Sequence, residues 1–273
     1  MWDAENMECF KPDKFFAIAE SHPLAGMLAE VECVWELLLS IKPTIRQIIK
    51  PNVSEILKKG SLVTEPVALF DGQTVFGVSF RLDGADGRFV CWKDGEALPG
   101  AALILPGAFL ADDRIEIGPG VLVETGAMIK GPTVLGQGTE VRQGAYVRGS
   151  VLAVADCVIG HATEAKNTLL FQGAKAGHFA YLGDSVLGQD VNLGAGTKLA
   201  NLKMLGSPFR FVADGQTQEV NLRKFGAIMG DRVETGCNSV TSPGVLIAPG
   251  CKILPNVTVK SGYYPTNTLI RAK

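Results

Sequence analysis

Residues 117–165 read IGPGVLVETGAMIKGPTVLGQGTEVRQGAYVRGSVLAVADCVIGHATEA, and an aliphatic or small side chain falls at every sixth position of the run. From Ile117 the positions are Val123, Ile129, Leu135, Val141, Val147, Ala153, Ile159 and Ala165, continuing through Phe171 and Gly177. The step then slips, since Leu182 and Leu187 are five apart, and Leu193 and Leu199 follow at six. After an interruption, Met229, Thr235, Thr241, Ile247, Ile253 and Val259 keep step again. The residue four beyond each hexad position is also small or β-branched (Val121, Ala127, Thr133, Thr139, Ala145, Val151, Cys157, Thr163), and Gly or Pro is frequent one or three beyond it. Two inward side chains in six residues describe a short strand and a corner. Stacking such coils supplies the backbone partners that one coil alone lacks. The fold class predicted is mainly β, a parallel β-helix.

By that repeat the region resembles the hexapeptide-repeat family, which implies a left-handed parallel β-helix with three hexads to the coil. Eighteen residues then return the chain to the same edge. The segment 200–224, ANLKMLGSPFRFVADGQTQEVNLRK, obeys no hexad and is expected to leave the solenoid as a long loop, the kind of loop that commonly carries function.

Upstream the pattern changes. From Asp13 to about Lys59 apolar residues recur at helical spacing (Phe15, Phe16, Ala19; Leu28, Val31, Trp35, Leu38), with Pro23, Pro43 and Pro51 dividing the stretch into about three short helices. Between Leu62 and Ile104 the runs VALF, TVFGVSF and RFVCW are β-type, and Asp-Gly pairs at 71–72, 83–84, 86–87 and 94–95 predict hairpin turns. The domain reading is a small N-terminal α+β domain over 1–104, a packing or oligomerisation module without a visible chemical cluster, and a β-helix domain over 105–273.

Composition bounds the rest. A chain of 273 residues, 47% hydrophobic and 20% charged, can bury a core, while 32 glycines and only 7% aromatics favour tight corners and small interior side chains. A net charge of -2 argues against nucleic acid or a membrane surface as partner, because both reward a basic excess. Cys9, Cys33, Cys91, Cys157, Cys237 and Cys251 form no CxxC pair, so they are expected to be reduced and buried, with neither zinc nor disulfides. The acidic start MWDAENMECFKPDKFF and the lack of a long apolar run point to the cytoplasm.

Chemistry enters through the coil period. Lys130, Arg148 and Lys166 are eighteen apart and stack on one edge. At strand spacing, about 4.8 Å, neighbouring cations repel by about 1 kcal/mol in water and about 3 kcal/mol at an effective dielectric of 20. Either the long side chains splay into solvent or an anion such as a phosphate sits among them. The histidines are His22, His161 and His178. A metal site of the γ-carbonic anhydrase kind needs three together, whereas His22 lies outside the repeats and His161 and His178 fall in different hexad phases, so no metal is expected. His178 is either structural or catalytic, and it falls where the register slips.

The run GHATEAKNTLLFQGAKAGHFAYLGDSVLGQDVNLGAGT, 160–197, resembles the acetyltransferase domain of bifunctional N-acetylglucosamine-1-phosphate uridyltransferase/glucosamine-1-phosphate acetyltransferases. LRKFGAIMGDRVETGCNS, 222–239, is similar to the archaeal-type sugar-1-phosphate nucleotidylyltransferase/acetyltransferases, and the whole resemblance covers about 105–259. It implies N-acetylation of an amino-sugar phosphate such as glucosamine-1-phosphate, with acetyl-CoA as co-substrate, no metal in the acyl step, and a homotrimer with sites between subunits. His178 matches the general base on the amine, and the Ala195 N–H matches an oxyanion donor. Arg148, Lys166 and Tyr181 match the phosphate contacts, Glu164 and Asn192 contacts to the sugar, and Asn201 an asparagine of the intersubunit cleft. Lys224 and Arg271 are the candidates for the phosphates of CoA. Leu202 stands where the family has tyrosine, Cys237 where it has serine on the coenzyme side, and Pro255 where it has a small residue.

The family's nucleotidyltransferase signature, roughly LxxGxGTxM opening a βαβ unit, has no counterpart in the first hundred residues; LGQGT at 135–139 and LGAGT at 193–197 sit within hexads. No nucleotide transfer is therefore expected, which leaves room for a separate nucleotidyltransferase partner. Two alternatives stand beside the main reading: the same chemistry on another amino sugar, and a sugar-phosphate-binding or scaffold protein without turnover.

Overall fold

The computed structural model describes residues 8–83, 88–213 and 215–272. The chain from Ala102 onward winds as a mainly β, parallel solenoid of about 9 turns. Each coil contributes to three faces. Face one holds Met128–Ile129, Tyr146–Val147, the first part of Glu164–Leu170, the first part of Tyr181–Leu187, and Lys198–Leu199. Face two holds Thr133–Leu135, Val151–Ala153 and the later parts of those two long strands. Face three holds Leu122–Val123, Glu140–Val141, Val158–His161, Lys175–His178 and Asn192–Leu193.

The hexad side chains fill the axis: Val123, Ile129, Leu135, Val141, Val147 and Ala153 have no exposed surface. Burying an aliphatic side chain contributes roughly 1.5–3 kcal/mol, so a column of them outweighs the thin cross-section of a single coil. The register is eighteen between Met128 and Tyr146 and between Tyr146 and Glu164. It shortens to seventeen from Val151 to Thr168 and from Glu164 to Tyr181.

That shortening begins earlier than the sequence period indicates and corrects three expectations. Leu170, not Phe171, enters the axis; Phe171 faces outward into a second cluster. Ala176, not Gly177, is the next inward residue. His161 and His178 do not differ in phase, because the lost residue sets them opposite each other on adjacent strands.

Helices α1 (Ala25–Ala29), α2 (Leu37–Ile48) and α3 (Ser54–Lys59) form in the N-terminal region. Pro43 does not divide the stretch as expected but lies inside α2, on its solvent side, where the Leu39 carbonyl that it leaves without an amide donor can meet water. Phe15 and Phe16 are not helical either; the Asp231 amide donates to the Phe15 carbonyl and the Ala17 amide donates to Asp231 Oδ2, which hold this segment along the solenoid. Phe16, Trp35, Leu38 and Ile41 cover face two against Val134, Leu152, Leu169 and Phe171.

The hairpin Val67–Phe70/Gln73–Phe76 turns at Asp71-Gly72 with φ 48° and 73°, the primed turn that Asp-Gly favours, and Asp94-Gly95 repeats it with 50° and 89°. The pairs expected at 83–84 and 86–87 lie, apart from Asp83, outside the described residues, as does the start of the chain through Met7. Val67–Leu69 pairs antiparallel with Ala102–Ile104, the first strand of face three, so the axial core is continuous from Val53 to Ile270.

The segment 200–224 leaves the solenoid as expected, yet it is an ordered antiparallel hairpin, Phe209–Ala213 with Gln216–Val220, and not an open loop. Phe209, Phe211 and Val220 are buried; the Phe211 ring stacks on Trp35 at 5.5 Å and 13°. Among the described residues no cysteine forms a disulfide; Cys33, Cys91, Cys157 and Cys251 are buried, while Cys237 is exposed and Cys9 half-buried, contrary to expectation. No described helix is long and apolar enough to cross a membrane.

Candidate functional site

Outward residues of face one stack from coil to coil. Tyr146, Glu164, Tyr181 and Lys198 occupy one column by register. Lys130, Arg148 and Lys166 follow their inward residues in a second column, which Gly183 continues. The cations are each met locally. Lys130 and Arg148 approach the Tyr146 ring at 5.2 and 5.9 Å, and Arg148 Nη1 donates to Glu164 Oε1 at 2.6 Å, which holds the guanidinium pKa above its ordinary value. Lys166 Nζ lies 3.9 Å from Asp184 Oδ2. Burial pushes the Lys166 pKa down; Asp184 opposes this, while Lys224 and Arg148 add to it. Lys224 therefore stands beside Lys166, in the face-one cluster.

Tyr181 and Asn201 meet above Gly183, where an added Cβ would collide with the Asn201 amide and the phenol. The Tyr181 hydroxyl donates to Asn201 Oδ1 at 3.4 Å, and Asn201 Nδ2 donates to Asp184 Oδ2. Burial, with Glu164 and Asp184 nearby, raises the Tyr181 pKa.

The second group lies on the corner between faces three and one. His161 and His178 are register partners, the Gly196 amide donates to the His178 carbonyl at 2.9 Å, the Asn238 amide to the Ala195 carbonyl at 2.8 Å, and the Asn256 amide to the Cys237 carbonyl at 2.9 Å. These bonds stack His161, His178, Ala195, Cys237 and Pro255 along one edge. Among the described residues neither the exposed His178 ring nor the Ala195 N–H has a hydrogen-bond partner; His161 Nδ1, by contrast, is engaged with the Gln143 carbonyl at 2.9 Å. Phe179, exposed and held at φ 52°, packs near both imidazoles, with ring centroids 5.2 Å from His161 and 6.3 Å from His178. A bulky residue in the left-handed region is an uncommon, strained choice, and such positions concentrate at functional sites.

The structure thus brings Arg148, Glu164, Lys166, Tyr181, Asn201 and Lys224 together on face one, and sets His178, Ala195 and Cys237 on the corner that leads into Tyr181. Asn192 is outside the face-one cluster, exposed on face three between Lys175 and Glu234. Arg271 is exposed in the last coil, where the Leu254 amide donates to the neighbouring Ile270 carbonyl. Asp184 and Asn167, absent from the sequence reading, sit at corners with φ 46° and 47°. Their signal was available: Asn and Asp, the residues most tolerant of that conformation, fall where the coil shortens. Among the described residues no group of three or more His, Cys, Asp or Glu side chains is arranged to hold a metal.

No protein-family profile matches the chain. Over 155 residues it is 34% identical to the bifunctional sugar-1-phosphate nucleotidylyltransferase/acetyltransferase of Sulfurisphaera tokodaii, a match taking in 50% of this chain and 39% of that protein. It is 33% identical over 135 residues to the bifunctional protein GlmU of Methanococcus vannielii, covering 47% of this chain and 32% of the relative. With GlmU of Nostoc sp. the identity is 27% over 239 residues, 74% of this chain and 49% of the relative. The chain spans less than half the length of each of these relatives, and the similarity corresponds to their C-terminal acetyltransferase part. Among solved structures, AntD, an N-acyltransferase from Bacillus cereus crystallised with dTDP-4-amino-4,6-dideoxyglucose and coenzyme A, aligns at 16% identity over 62% of this chain and 78% of its own, with a TM-score of 0.27.

Proposed function

We propose that the chain is an acetyl-CoA-dependent N-acetyltransferase for an amino-sugar phosphate, with glucosamine-1-phosphate the first acceptor to test. The observation that carries this reading is the adjacency of two groups: a cationic, hydrogen-bonded cluster on face one, and an edge on which His178 and Ala195 occupy neighbouring coils, the imidazole of the first and the backbone N–H of the second without a hydrogen-bond partner among the described residues. The similarity to the acetyltransferase part of the bifunctional relatives supports the same conclusion.

In this reading Arg148, Lys166 and Tyr181 hold the phosphate and Glu164 contacts the sugar. Lys224, a candidate for the phosphates of CoA in the sequence, joins the acceptor phosphate instead because it stands beside Lys166, and Asn192, on face three, contacts the sugar only if a neighbouring subunit presents it. His178 takes a proton from the amine as its nitrogen attacks the thioester carbonyl. An imidazole is suited to that transfer near neutral pH. The Ala195 N–H donates to the oxyanion of the tetrahedral intermediate, whose collapse breaks the C–S bond and releases the CoA thiolate. Cys237, Pro255 and finally Arg271 follow Ala195 along the solenoid, and three strand spacings, about 14 Å, give an extended pantetheine room to reach the last coil. Asn201 closes the cleft, which a second subunit of a homotrimer completes. A cytoplasmic location and a separate nucleotidyltransferase acting on the product belong to the same reading.

The deciding experiment presents purified protein with acetyl-CoA and a panel of amino-sugar phosphates and measures free thiol. Release with glucosamine-1-phosphate alone establishes the acceptor, and release with another amino sugar reassigns it. Cys237 and Pro255, on the proposed coenzyme edge, favour a second reading as a sugar-phosphate-binding protein. Calorimetry showing sugar-phosphate binding without acetyl-CoA binding would establish that alternative.

A further inference from the structure

Behind the face-one cluster lies a carboxylate that the proposed mechanism does not use. Asp184 is 7% exposed, and both of its oxygens are committed: Oδ1 accepts from Asn167 Nδ2 at 3.0 Å, while Oδ2 accepts from Asn201 Nδ2 and faces Lys166 Nζ at 3.9 Å. The Asn167 amide also reaches the Leu38 carbonyl of α2, at 3.3 Å. Three donors thus converge on one side chain. An ionised carboxylate accepts at both oxygens, whereas a neutral amide in its place would set an NH2 against at least one donor.

We infer that Asp184 is the positioning residue of the acceptor site, fixing the Lys166 ammonium and the Asn201 amide and tying both, through Asn167, to helix α2. The inference deepens the reading of face one as the sugar-phosphate site and rests on it. Two consequences follow from the geometry. With Nδ2 held by Asp184, Asn201 must turn Oδ1 toward Tyr181, so the phenol donates inward and its lone pairs face the cleft. Lys166 is met by Arg148 from the preceding coil, Asp184 from the following coil and Lys224 at the end of the insertion; Glu164 lies two residues before it on the same strand, and the Tyr181 hydroxyl lies over Gly183, its register partner in the next coil. Asp184 is its nearest anion, opposing the two cations and the burial that favour loss of its proton.

The test is Asp184→Asn, a substitution that the left-handed backbone at this position tolerates, with Asp184→Ser as the second neutral variant should the first not fold. Lys166 is titrated directly by competitive labelling with acetic anhydride, read by mass spectrometry, without substrate. The expected result is a midpoint lowered by about one pH unit in the variant. In acetyl transfer to glucosamine-1-phosphate, the acceptor KM rises about tenfold near neutral pH, its alkaline rise moves down by the same interval, and kcat changes less. The KM effect of Asp184→Asn also largely disappears in a Lys166→Ala background. An unchanged Lys166 midpoint, or KM effects that add across the two substitutions, overturns the assignment. Absence of transfer by the unaltered protein with any amino-sugar phosphate would instead overturn the functional reading, while the labelling result still decides whether Asp184 controls Lys166.

Discussion

At the scale of single residues, the corner edge separates two histidines that the shortened coil places side by side. His161 spends its Nδ1 on the Gln143 carbonyl, whereas the His178 ring is free, so the two substitutions should differ. His178→Ala should lower turnover by about two to four orders of magnitude with thermal unfolding unchanged, as loss of a general base does. An unchanged rate removes His178 from the mechanism. Cys237, two coils from His178 on the same edge, is the exposed thiol among cysteines that are otherwise buried or half-buried. Burial pushes the Cys33 and Cys157 thiols up to about 12, which leaves almost no thiolate at neutral pH. Iodoacetamide should therefore label Cys237 well before either of them, and saturating acetyl-CoA should slow that labelling if the edge carries the coenzyme. Equal labelling with and without acetyl-CoA would move the coenzyme elsewhere.

Between elements, the close stacking of consecutive strands decides what each position tolerates. Gly160, next to last in the strand Val158–His161, lies directly against the Gly177 backbone, and an added Cβ would collide with the Gly177 carbonyl. Gly160→Ala should push the strand ending in His161 away from the strand ending in His178, costing about 1–3 kcal/mol, which a denaturant titration measures. Full stability in that variant would mean that the two coils separate without cost. The same stacking explains how much could be read from the chain beforehand. Val123 through Ala165 keep a strict step because each inward side chain meets its equivalent in the next coil, so period alone revealed the axis. Leu170 and Ala176 escaped that reading because Phe171 and Gly177 satisfy the arithmetic equally well. What excludes Phe171 from the axis is its burial against Phe16, with ring centroids 4.8 Å apart, a contact from far away in sequence. The cation column Lys130, Arg148, Lys166 was legible from spacing, and the roles assigned around it came from family resemblance. The corner positions of Asn167 and Asp184 carried a signal, but the hub they form did not, since Asn167, Asn201 and the Leu38 carbonyl that Asn167 also reaches come together only after the coil shortens and α2 docks.

For the molecule as a whole, the N-terminal region and the insertion meet on face two, away from the proposed chemistry yet joined to it. The hairpin Phe209–Val220 departs after Asn201 and returns just before Lys224, so both ends of the excursion are residues of the face-one cluster. What anchors the hairpin is aromatic packing: Trp35 stacks on Phe211, and Phe10 lies 5.2 Å from Trp35 and 6.3 Å from Phe211. Trp35→Ala should cost about 3–5 kcal/mol, the range for deleting a large aromatic from a core. Its more specific consequence is at a distance. Freed from Trp35, the hairpin should exchange its amide hydrogens faster, and looser tethers on Asn201 and Lys224 should raise the acceptor KM more than they lower kcat. Hydrogen exchange over 209–220 and steady-state kinetics on the same preparation test both halves. Faster exchange with an unaltered KM would show that the N-terminal region stabilises the fold without shaping the acceptor site, and would confine the reach of α2 toward that site to the Asn167–Leu38 hydrogen bond.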